Sequence, residues 1–320
     1  MRMLNKVREK LRRFRKERRD DFIYALAVVG VRLFRLIPLS LGIRIGGLLG
    51  LAAYGLLPRD RNRALEHLSI AFPSGMSHRE RKRIARRCFQ NLGKNAVELV
   101  NFPRLKNDLD RWITLEGREI LEESLARGQG LIWITGHMGN WELMACYMAQ
   151  KGYPFRVIAR EIYDERLNRL LLEFRREAAV RVILRDSPNA GRQMLQALKK
   201  GEVIGMLIDQ DTHVKGVMVD FFGRKANTPA GAAILARRRS IPVLAGFIHR
   251  VSGRRHRIVI HPPIDIVKTD DLDDDILANT ERFNKLLEQQ IREDPEGWVW
   301  MHRRWRRQVA HQPVRAGGAG

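Results

Sequence analysis

Short apolar runs alternate with helical segments from residue 130 to residue 292, and this alternation constrains the fold more than any other feature. The runs are five to eight residues long, which is the length of a buried strand. The pattern predicts an α/β fold with a mostly parallel central sheet flanked by helices, in which functional side chains collect at the carboxyl ends of the strands. The predicted strands are residues 130–135, 155–159, 180–184, 203–209, 217–222, 242–249 and 257–261, and the predicted helices are residues 140–151, 165–178, 188–200, 229–238 and 272–292.

The segment before this α/β region is strongly apolar. Its uninterrupted apolar runs cover residues 22–31 and 45–57, and Arg32, Arg35 and Arg44 interrupt the segment. A membrane-spanning helix needs about 20 apolar residues. The runs therefore favour a pair of amphipathic or shallowly inserted helices whose arginines reach the lipid headgroups. A single membrane anchor that tolerates Arg32 and a pair of core helices are the alternatives.

The net charge of +23, from 59 Lys and Arg against 36 Asp and Glu, favours anionic partners. Ten of the basic residues lie within residues 1–20, where they would bind acidic lipids on the cytoplasmic face of a membrane. Nucleic acid is a possible anionic partner that we do not expect, because zinc-finger spacing and aromatic RNA-binding motifs are absent from the sequence. The two cysteines, Cys88 and Cys146, are too few for a disulfide framework and too far apart for a paired-cysteine zinc site.

A helix is predicted over residues 77–100, because Ser77 and Glu80 have the spacing of a capping box. This helix and the strand–helix alternation belong to one large unit. We divide the chain into a basic N-terminal arm (1–20), a membrane-associating helical segment (21–58), an α/β domain (59–307) and a disordered tail (308–320).

The sequence GHMGNWE, residues 136–142, follows the predicted strand GLIWIT directly and contains the strongest candidate for catalysis. His137 can act as a general base near neutral pH, and a carboxylate such as Glu142 on its other ring nitrogen would orient it. The glycines permit a tight turn with close approach of a substrate to backbone N–H groups. Three alternatives remain: a structural histidine, a zinc ligand pair that needs a third ligand, and chance.

GHMGNWE resembles the signature of the lysophospholipid acyltransferase superfamily, and within it the branch that acylates lipid A precursors. His137, Gly139, Asn140, Trp141 and Glu142 match that signature. The resemblance extends over roughly residues 45–307 and includes the segments LEHLSIAFP at 65–73, NLG at 91–93, GEV at 201–203, DQD at 209–211, FFG at 221–223 and WVWMHRRW at 298–305.

The resemblance implies late acylation of a lipid A precursor at the cytoplasmic face of the bacterial inner membrane. A fatty acyl group would pass from a thioester, usually on acyl carrier protein, to a hydroxyl of a phosphorylated glycolipid. His137 would deprotonate the hydroxyl, and Glu142 would orient His137. Gly139 and Asn140 are candidate substrate-binding residues. The reaction needs no metal and no organic cofactor.

Polar and aromatic residues near the predicted strand ends are further candidates. Arg160 could clamp a phosphate, and Asp209 with Gln210 could position a sugar hydroxyl; a surface arginine and a helix-capping loop carboxylate are the alternatives. Arg175 and Arg176 are expected to face solvent or lipid phosphate. The tryptophans of the closing segment, Trp298, Trp300 and Trp305, indicate an interfacial surface or a packed C-terminal helix.

Other functions stay open at this point. A membrane scaffold without catalytic activity would be indifferent to the loss of His137. An acyltransferase could instead act on a glycerophospholipid, an ornithine lipid or another glycolipid, with coenzyme A as the carrier of the acyl group. Acceptor identity and chain length depend on pocket shape, which the sequence does not reveal.

Overall fold

The computed structural model describes residues 2–212 and 214–306, with the backbone alone for residues 2–17. The tail predicted at 308–320 lies outside the described residues. The helices are α1 (Arg2–Leu36), α2 (Leu39–Leu56), α3 (Pro58–Ala71), α4 (His78–Val100), α5 (Phe102–Leu105), α6 (Arg118–Ala126), α7 (Trp141–Gln150), α8 (Glu165–Glu177), α9 (Ala190–Lys199), α10 (Gly231–Arg239) and α11 (Leu272–Glu293), with a 3-10 helix at Lys106–Arg111. The strands are β1 (Ile113–Glu116), β2 (Leu131–Thr135), β3 (Phe155–Ala159), β4 (Arg181–Leu184), β5 (Val203–Leu207), β6 (Gly216–Phe221), β7 (Arg224–Pro229), β8 (Val243–Ser252) and β9 (Arg255–Ile260).

Seven of these strands form one sheet in the order β1-β9-β8-β2-β5-β3-β4. Its neighbouring strands are parallel except for β8 and β9, which form an antiparallel hairpin. The strands β6 and β7 form a separate antiparallel hairpin. The prediction of an α/β fold with a mostly parallel sheet is confirmed.

The central strand β2 is buried on both faces, as expected for a parallel strand covered by helices. Its alternate residues point into two different hydrophobic clusters: Ile132 and Ile134 into one, Leu131 and Trp133 into the other. The carboxyl ends of β2 and β5 therefore meet at one edge of a rigid, doubly covered sheet. This edge carries the candidate site.

The segment that follows α11 is part of the core. Trp298, Trp300 and Trp305 are at most 4% exposed, so the interpretation of these tryptophans as an interfacial surface is wrong. Trp298 and Trp300 pack edge to face with ring centroids 4.7 Å apart. Burial of these indole rings in the hydrophobic cluster beside the sheet stabilises the protein more than a surface position would. The closing segment, residues 298–305, therefore covers the sheet edge next to the candidate site.

The N-terminal region forms two helices, and α2 packs against α4. The helix α2 continues through Arg44, which the sequence analysis treated as an interruption. Gly46 and Gly93 lie where the helices cross, and a Cβ on either would collide with the backbone of the other helix. The helix α4 begins with the predicted capping box, because the Ser77 and Glu80 side chains each accept from the other residue's backbone N–H.

Within residues 2–212 and 214–306, one helix, α2, is long and apolar enough to cross a membrane by length and composition. A third of its apolar window (33%) is buried against the rest of the protein. Four leucines of α2 are exposed, and so are several apolar side chains of α1, including Phe22, Leu26 and Leu33. This exposed set is referred to below as the N-terminal apolar face: Phe22, Leu26, Val29, Leu33, Leu36, Leu41, Leu48, Leu49, Leu56 and Leu57.

Candidate active site

His137 and Asp209 meet at the carboxyl ends of two adjacent parallel strands. His137 follows β2 and Asp209 follows β5, and these strands pair directly in the sheet. One carboxylate oxygen of Asp209, Oδ1, lies 2.7 Å from His137 Nδ1. The other, Oδ2, accepts the backbone N–H of His137 at 2.7 Å and the indole N–H of Trp298 at 2.8 Å. Three donors thus fix a carboxylate that is 0% exposed.

The pKa of Asp209 reflects these donors. Burial raises the pKa, but the His137 imidazole and its hydrogen bonds more than offset this and bring it below the ordinary value of 3.8. The carboxylate is therefore ionised and accepts a hydrogen bond from Nδ1–H. This leaves the lone pair of His137 on Nε2, which is the arrangement that a general base requires.

His137 opens onto a cavity of about 670 Å³. Apolar side chains from β3, β5, α9 and α10 form much of its wall, and basic side chains lie among its lining residues. The apolar part includes Ile158, Met194, Met206, Ile208, Ile234 and Leu235, and the basic part is Arg160, Arg175, Arg185 and Lys215. A cavity of this kind suits a ligand with an apolar chain and an anionic head.

Glu142 has a partner other than His137. It lies in the first turn of α7 and forms a bidentate pair with Arg175 of α8, with Oε1–Nη2 at 2.6 Å and Oε2–Nε at 3.0 Å. The expectation that Glu142 orients His137 therefore differs from the structure, where Asp209 occupies Nδ1. Of the two expectations for Arg175, solvent exposure is wrong, since its side chain is 10% exposed, and contact with a lipid phosphate stays a prediction. Both residues line the cavity.

The other predicted site residues divide between the cavity and the interior. Arg160 and Gln210 line the cavity; the Arg160 side chain is 69% exposed, which leaves it accessible to a ligand. Asp209 is fully buried and cannot position a sugar hydroxyl. Gly139 and Asn140 contact other parts of the protein and do not line the cavity. The expectation that they bind substrate is therefore corrected: their role is structural.

That structural role has a clear basis. Gly139 has a φ of 55° and lies so close to the Ile248 carbonyl oxygen that a Cβ would collide with it. Its own carbonyl accepts from Asn95 Nδ2 at 2.6 Å. The Asn140 side chain caps α7 by accepting from the backbone N–H of Leu143 at 3.2 Å. The turn that carries His137 is thus fixed on both sides.

Glu98 of α4 lies beneath this turn and was missed by the sequence analysis. Its carboxylate accepts from Asn140 Nδ2 at 2.9 Å, from Arg250 Nη1 at 2.6 Å and Nη2 at 2.8 Å, and lies 3.1 Å from His256 Nε2. Burial opposes ionisation, but His256 and Arg250 lower the pKa of Glu98 to about 2. The sequence pattern of the helix predicted over residues 77–100 contains no signal for a buried carboxylate at this position.

Replacing Glu98 with Gln is expected to destabilise the protein by about 3 kcal/mol, because it leaves the buried Arg250 guanidinium without its counter-charge. The native carboxylate has a pKa of about 2 against 4.5 when unperturbed, so its contribution is complete above pH 4.5 and is lost as the pH falls toward 2. Thermal unfolding in detergent at pH 7 and at pH 3 measures both effects. The difference in unfolding temperature between wild type and variant should be smaller at pH 3 than at pH 7. An equal difference at both pH values would contradict the role of Glu98 as the counter-charge of Arg250.

His302 is a second residue that the sequence did not indicate. Its ring packs against that of His137, with centroids 4.6 Å apart and the rings nearly perpendicular. Burial, followed by the nearby His137, lowers the pKa of His302 to about 3. The side-chain amide nitrogen of Gln210 lies 3.2 Å from His137 Nε2 and 3.0 Å from His302 Nε2. His302 belongs to the closing segment WVWMHRRW, so the quoted motif contained it without indicating its position.

Comparison with known proteins shows what the chain is similar to. The sequence profile of a family described as "Bacterial lipid A biosynthesis acyltransferase" matches residues 10–307. A phosphatidylinositol mannoside acyltransferase of Mycobacterium tuberculosis (strain ATCC 25618 / H37Rv) is 24% identical over 212 residues, which are 64% of this chain and 63% of that protein. The chain thus spans less than two thirds of that mycobacterial relative.

Two relatives from Escherichia coli (strain K12) are matched over more of their length. A lipid A biosynthesis lauroyltransferase is 26% identical over 300 residues, covering 91% of this chain and 95% of that protein. A lipid A biosynthesis palmitoleoyltransferase is 26% identical over 270 residues, covering 83% and 84% respectively.

Proposed function

The chain belongs to the bacterial lipid A biosynthesis acyltransferase family, and from this premise we propose that it transfers a fatty acyl group from acyl carrier protein to a hydroxyl of a lipid A precursor in late acylation. The observation that carries the proposal is the His137–Asp209 pair, joined at 2.7 Å and facing an apolar cavity with basic residues in its wall. The names of the Escherichia coli relatives, a lauroyltransferase and a palmitoleoyltransferase, support the same class of reaction.

The proposed reaction uses one imidazole twice. The acceptor hydroxyl donates to His137 Nε2, and its proton passes to that nitrogen as the hydroxyl oxygen attacks the thioester carbonyl carbon. The tetrahedral intermediate collapses, the C–S bond breaks, and the leaving thiolate takes the proton back from Nε2. Asp209, ionised and buried, stabilises the imidazolium that exists between the two transfers.

Different parts of the cavity wall suit the fatty acyl chain and the phosphorylated acceptor. The apolar side chains suit a fatty acyl chain, whose burial contributes about 0.8 kcal/mol per methylene. Arg160 and Arg185 suit a phosphorylated headgroup. We assign to Glu142 the fixing of the Arg175 guanidinium in this wall, because the bidentate pair holds it there.

A reconstituted assay tests the proposal. Purified protein in detergent receives acyl carrier protein loaded with a fatty acid, with or without a lipid A precursor that has a free acyl-chain hydroxyl. Mass spectrometry should show one added acyl group, and thioester consumption should require the lipid. Consumption that is independent of the lipid, or a failure to acylate any hydroxylated lipid, would contradict the proposal. Mass spectrometry of lipid A from a strain that lacks the gene tests it in the cell.

A second candidate acceptor is a mannosylated phosphatidylinositol or related glycolipid. The relative from Mycobacterium tuberculosis, which is named for such an acceptor, favours it. Offering both lipids at equal concentration to the same preparation, with acyl carrier protein or coenzyme A as the carrier, separates the candidates. The acceptor with the higher kcat/KM identifies the substrate class.

The N-terminal apolar face supports association with a membrane. Leu48 of α2 is 64% exposed, Leu56 is 78% exposed, and Phe22 of α1 is 69% exposed, which is unusual for a surface that meets only water. Ten basic residues precede this face in the sequence, within residues 1–20, and favour an anionic, cytoplasmic leaflet. We therefore place the protein at the cytoplasmic face of the bacterial inner membrane.

Replacing both Leu48 and Leu56 with Glu is expected to lower binding to vesicles of anionic phospholipid by at least about tenfold, because each substitution removes apolar area and adds a charge. Flotation after detergent removal measures the bound fraction. The matched control is Leu277→Glu, which changes an exposed leucine of α11. Equal binding by the double variant and the control would show that this face does not contact lipid.

A further inference from the structure

Three potential metal ligands from three separate parts of the chain converge where His137 meets the cavity. They are His137 after β2, Asp209 after β5 and His302 in the closing segment. One ligand atom from each lies within 4.8 Å of the other two. A zinc ion with ligands at 2.0–2.2 Å holds them about 3.3–3.6 Å apart, so the side chains need to close by roughly 1 Å.

The surroundings hold these residues in place and leave a route for an ion. Asp209 Oδ2 is engaged by the backbone N–H of His137 and by Trp298, which fixes the carboxylate while Oδ1 faces His137. The Gln210 amide lies within 3.2 Å of ring nitrogens on both histidines and can turn its oxygen toward a cation. His137 is 18% exposed at the cavity, which gives an ion access.

The chemistry of the ligand set favours zinc over magnesium or calcium. Two imidazoles and one carboxylate are common ligands of zinc, whereas magnesium and calcium prefer oxygen alone. The sequence analysis considered a zinc site at His137 with Glu142 and found it short of a third ligand. The fold replaces Glu142 by Asp209 and adds His302.

We propose that His137, Asp209 and His302 form a binding site for a divalent transition metal ion of the zinc type, and that its occupancy inhibits the enzyme. The inhibitory part rests on the proposed function. An ion bound by Asp209 Oδ1 takes the place of the proton between Oδ1 and His137 Nδ1. The ring proton of His137 then lies on Nε2, which can no longer accept a proton from the hydroxyl, and the general base is lost.

Cobalt absorption tests binding without reference to activity. Metal-free protein in detergent, prepared with a chelator that is then removed, is titrated with Co²⁺, and absorption between 500 and 700 nm reports coordination by nitrogen and oxygen ligands. Zn²⁺ should displace the signal. His302→Gln and His137→Gln should each weaken Co²⁺ binding by at least about 100-fold, because each removes one of three ligands. His78→Gln, a change of an exposed histidine at the start of α4, should bind as wild type does.

An activity measurement tests the inhibitory part. The rate of acyl transfer by metal-free wild type should fall as Zn²⁺ is added and recover when a chelator is added. At the Zn²⁺ concentration that halves the wild-type rate, the rate of His302→Gln should equal the rate of that variant without metal. A wild-type Co²⁺ affinity in His302→Gln would overturn the site. Transfer that is unaffected by Zn²⁺ despite a cobalt signal, or that requires Zn²⁺, would overturn the inhibition. Failure of metal-free protein to acylate any lipid would contradict the proposed function instead.

Discussion

Replacing His137 with Ala is expected to lower the kcat of acyl transfer by about 10³-fold, because the acceptor hydroxyl then loses the imidazole that takes its proton. His137 is the imidazole whose Nδ1 is bound by Asp209, so its Nε2 is the nitrogen that remains for a substrate. The measurement is the initial rate of thiol release that depends on the lipid acceptor.

The same assay needs a control for general damage. His78→Ala changes an exposed histidine and should retain the wild-type rate. His137→Ala removes one of the three donors to the buried Asp209 carboxylate and should unfold at a lower temperature than His78→Ala, so circular dichroism checks that it is folded under the assay conditions. A His137→Ala rate within about tenfold of wild type would show that this imidazole does not act as the base.

Replacing Asp209 with Asn is expected to lower kcat by about 10³-fold with little change in KM. The amide carries no charge to stabilise the imidazolium, and its NH₂ group favours the tautomer with the proton on Nε2. Since Asp209 is 0% exposed, it does not touch the acceptor, and binding of the acceptor should persist. Steady-state kinetics over a range of acceptor concentrations separates the two constants.

This split between kcat and KM distinguishes two roles for Asp209. If Asp209 positioned a sugar hydroxyl, as the sequence suggested, the Asn variant would show a raised KM. If Asp209 holds the base, the loss would lie in kcat. Asn is chosen because it keeps the side-chain volume at a site where three donors converge, and circular dichroism checks that the variant folds.

Most strands of the fold could be predicted from sequence, but β1 and β7 could not. The strands β2, β3, β5 and β8 are apolar runs of the length that a covered parallel strand requires. The strand β1, by contrast, is only four residues long and alternates in burial. The strand β7 reads RKANTP, which has no strand pattern, and forms because β6 precedes it across a tight turn. Pairing with a neighbour, rather than local propensity, produces both.

The proposed general base, His137, could be predicted from sequence, but the carboxylate that binds its Nδ1 could not. His137 follows a buried strand directly, a position that indicates function in any parallel sheet. The nearest carboxylate along the chain, Glu142, was a reasonable partner by spacing. The observed partner, Asp209, is 72 residues away, and only the placement of β5 beside β2 brings it within reach. Strand order in a sheet is not encoded in the apolar pattern of any single strand.

The tryptophans of the closing segment show a second limit of sequence reasoning. Trp298, Trp300 and Trp305 lie near Arg303 and Arg304 in the sequence, and tryptophan beside arginine is common both at membrane interfaces and at packed ends of domains. The structure buries them, and it buries Arg304 with them, where the guanidinium donates to the Asn227 carbonyl at 2.7 Å and to Thr228 Oγ1 at 2.6 Å. A fully buried arginine whose terminal nitrogens donate to neutral acceptors has no signal in composition.

The most direct test of the account compares the kcat of Asp209→Asn and Glu142→Gln with that of wild type, on one acyl-thioester and one lipid acceptor. We predict that Asp209→Asn approaches the low rate of His137→Ala, and that Glu142→Gln, which loosens Arg175 in the cavity wall, retains a clearly higher rate. If Glu142→Gln were as inactive as His137→Ala while Asp209→Asn stayed within about tenfold of wild type, the buried carboxylate behind the imidazole would not support the base, and the account would be wrong.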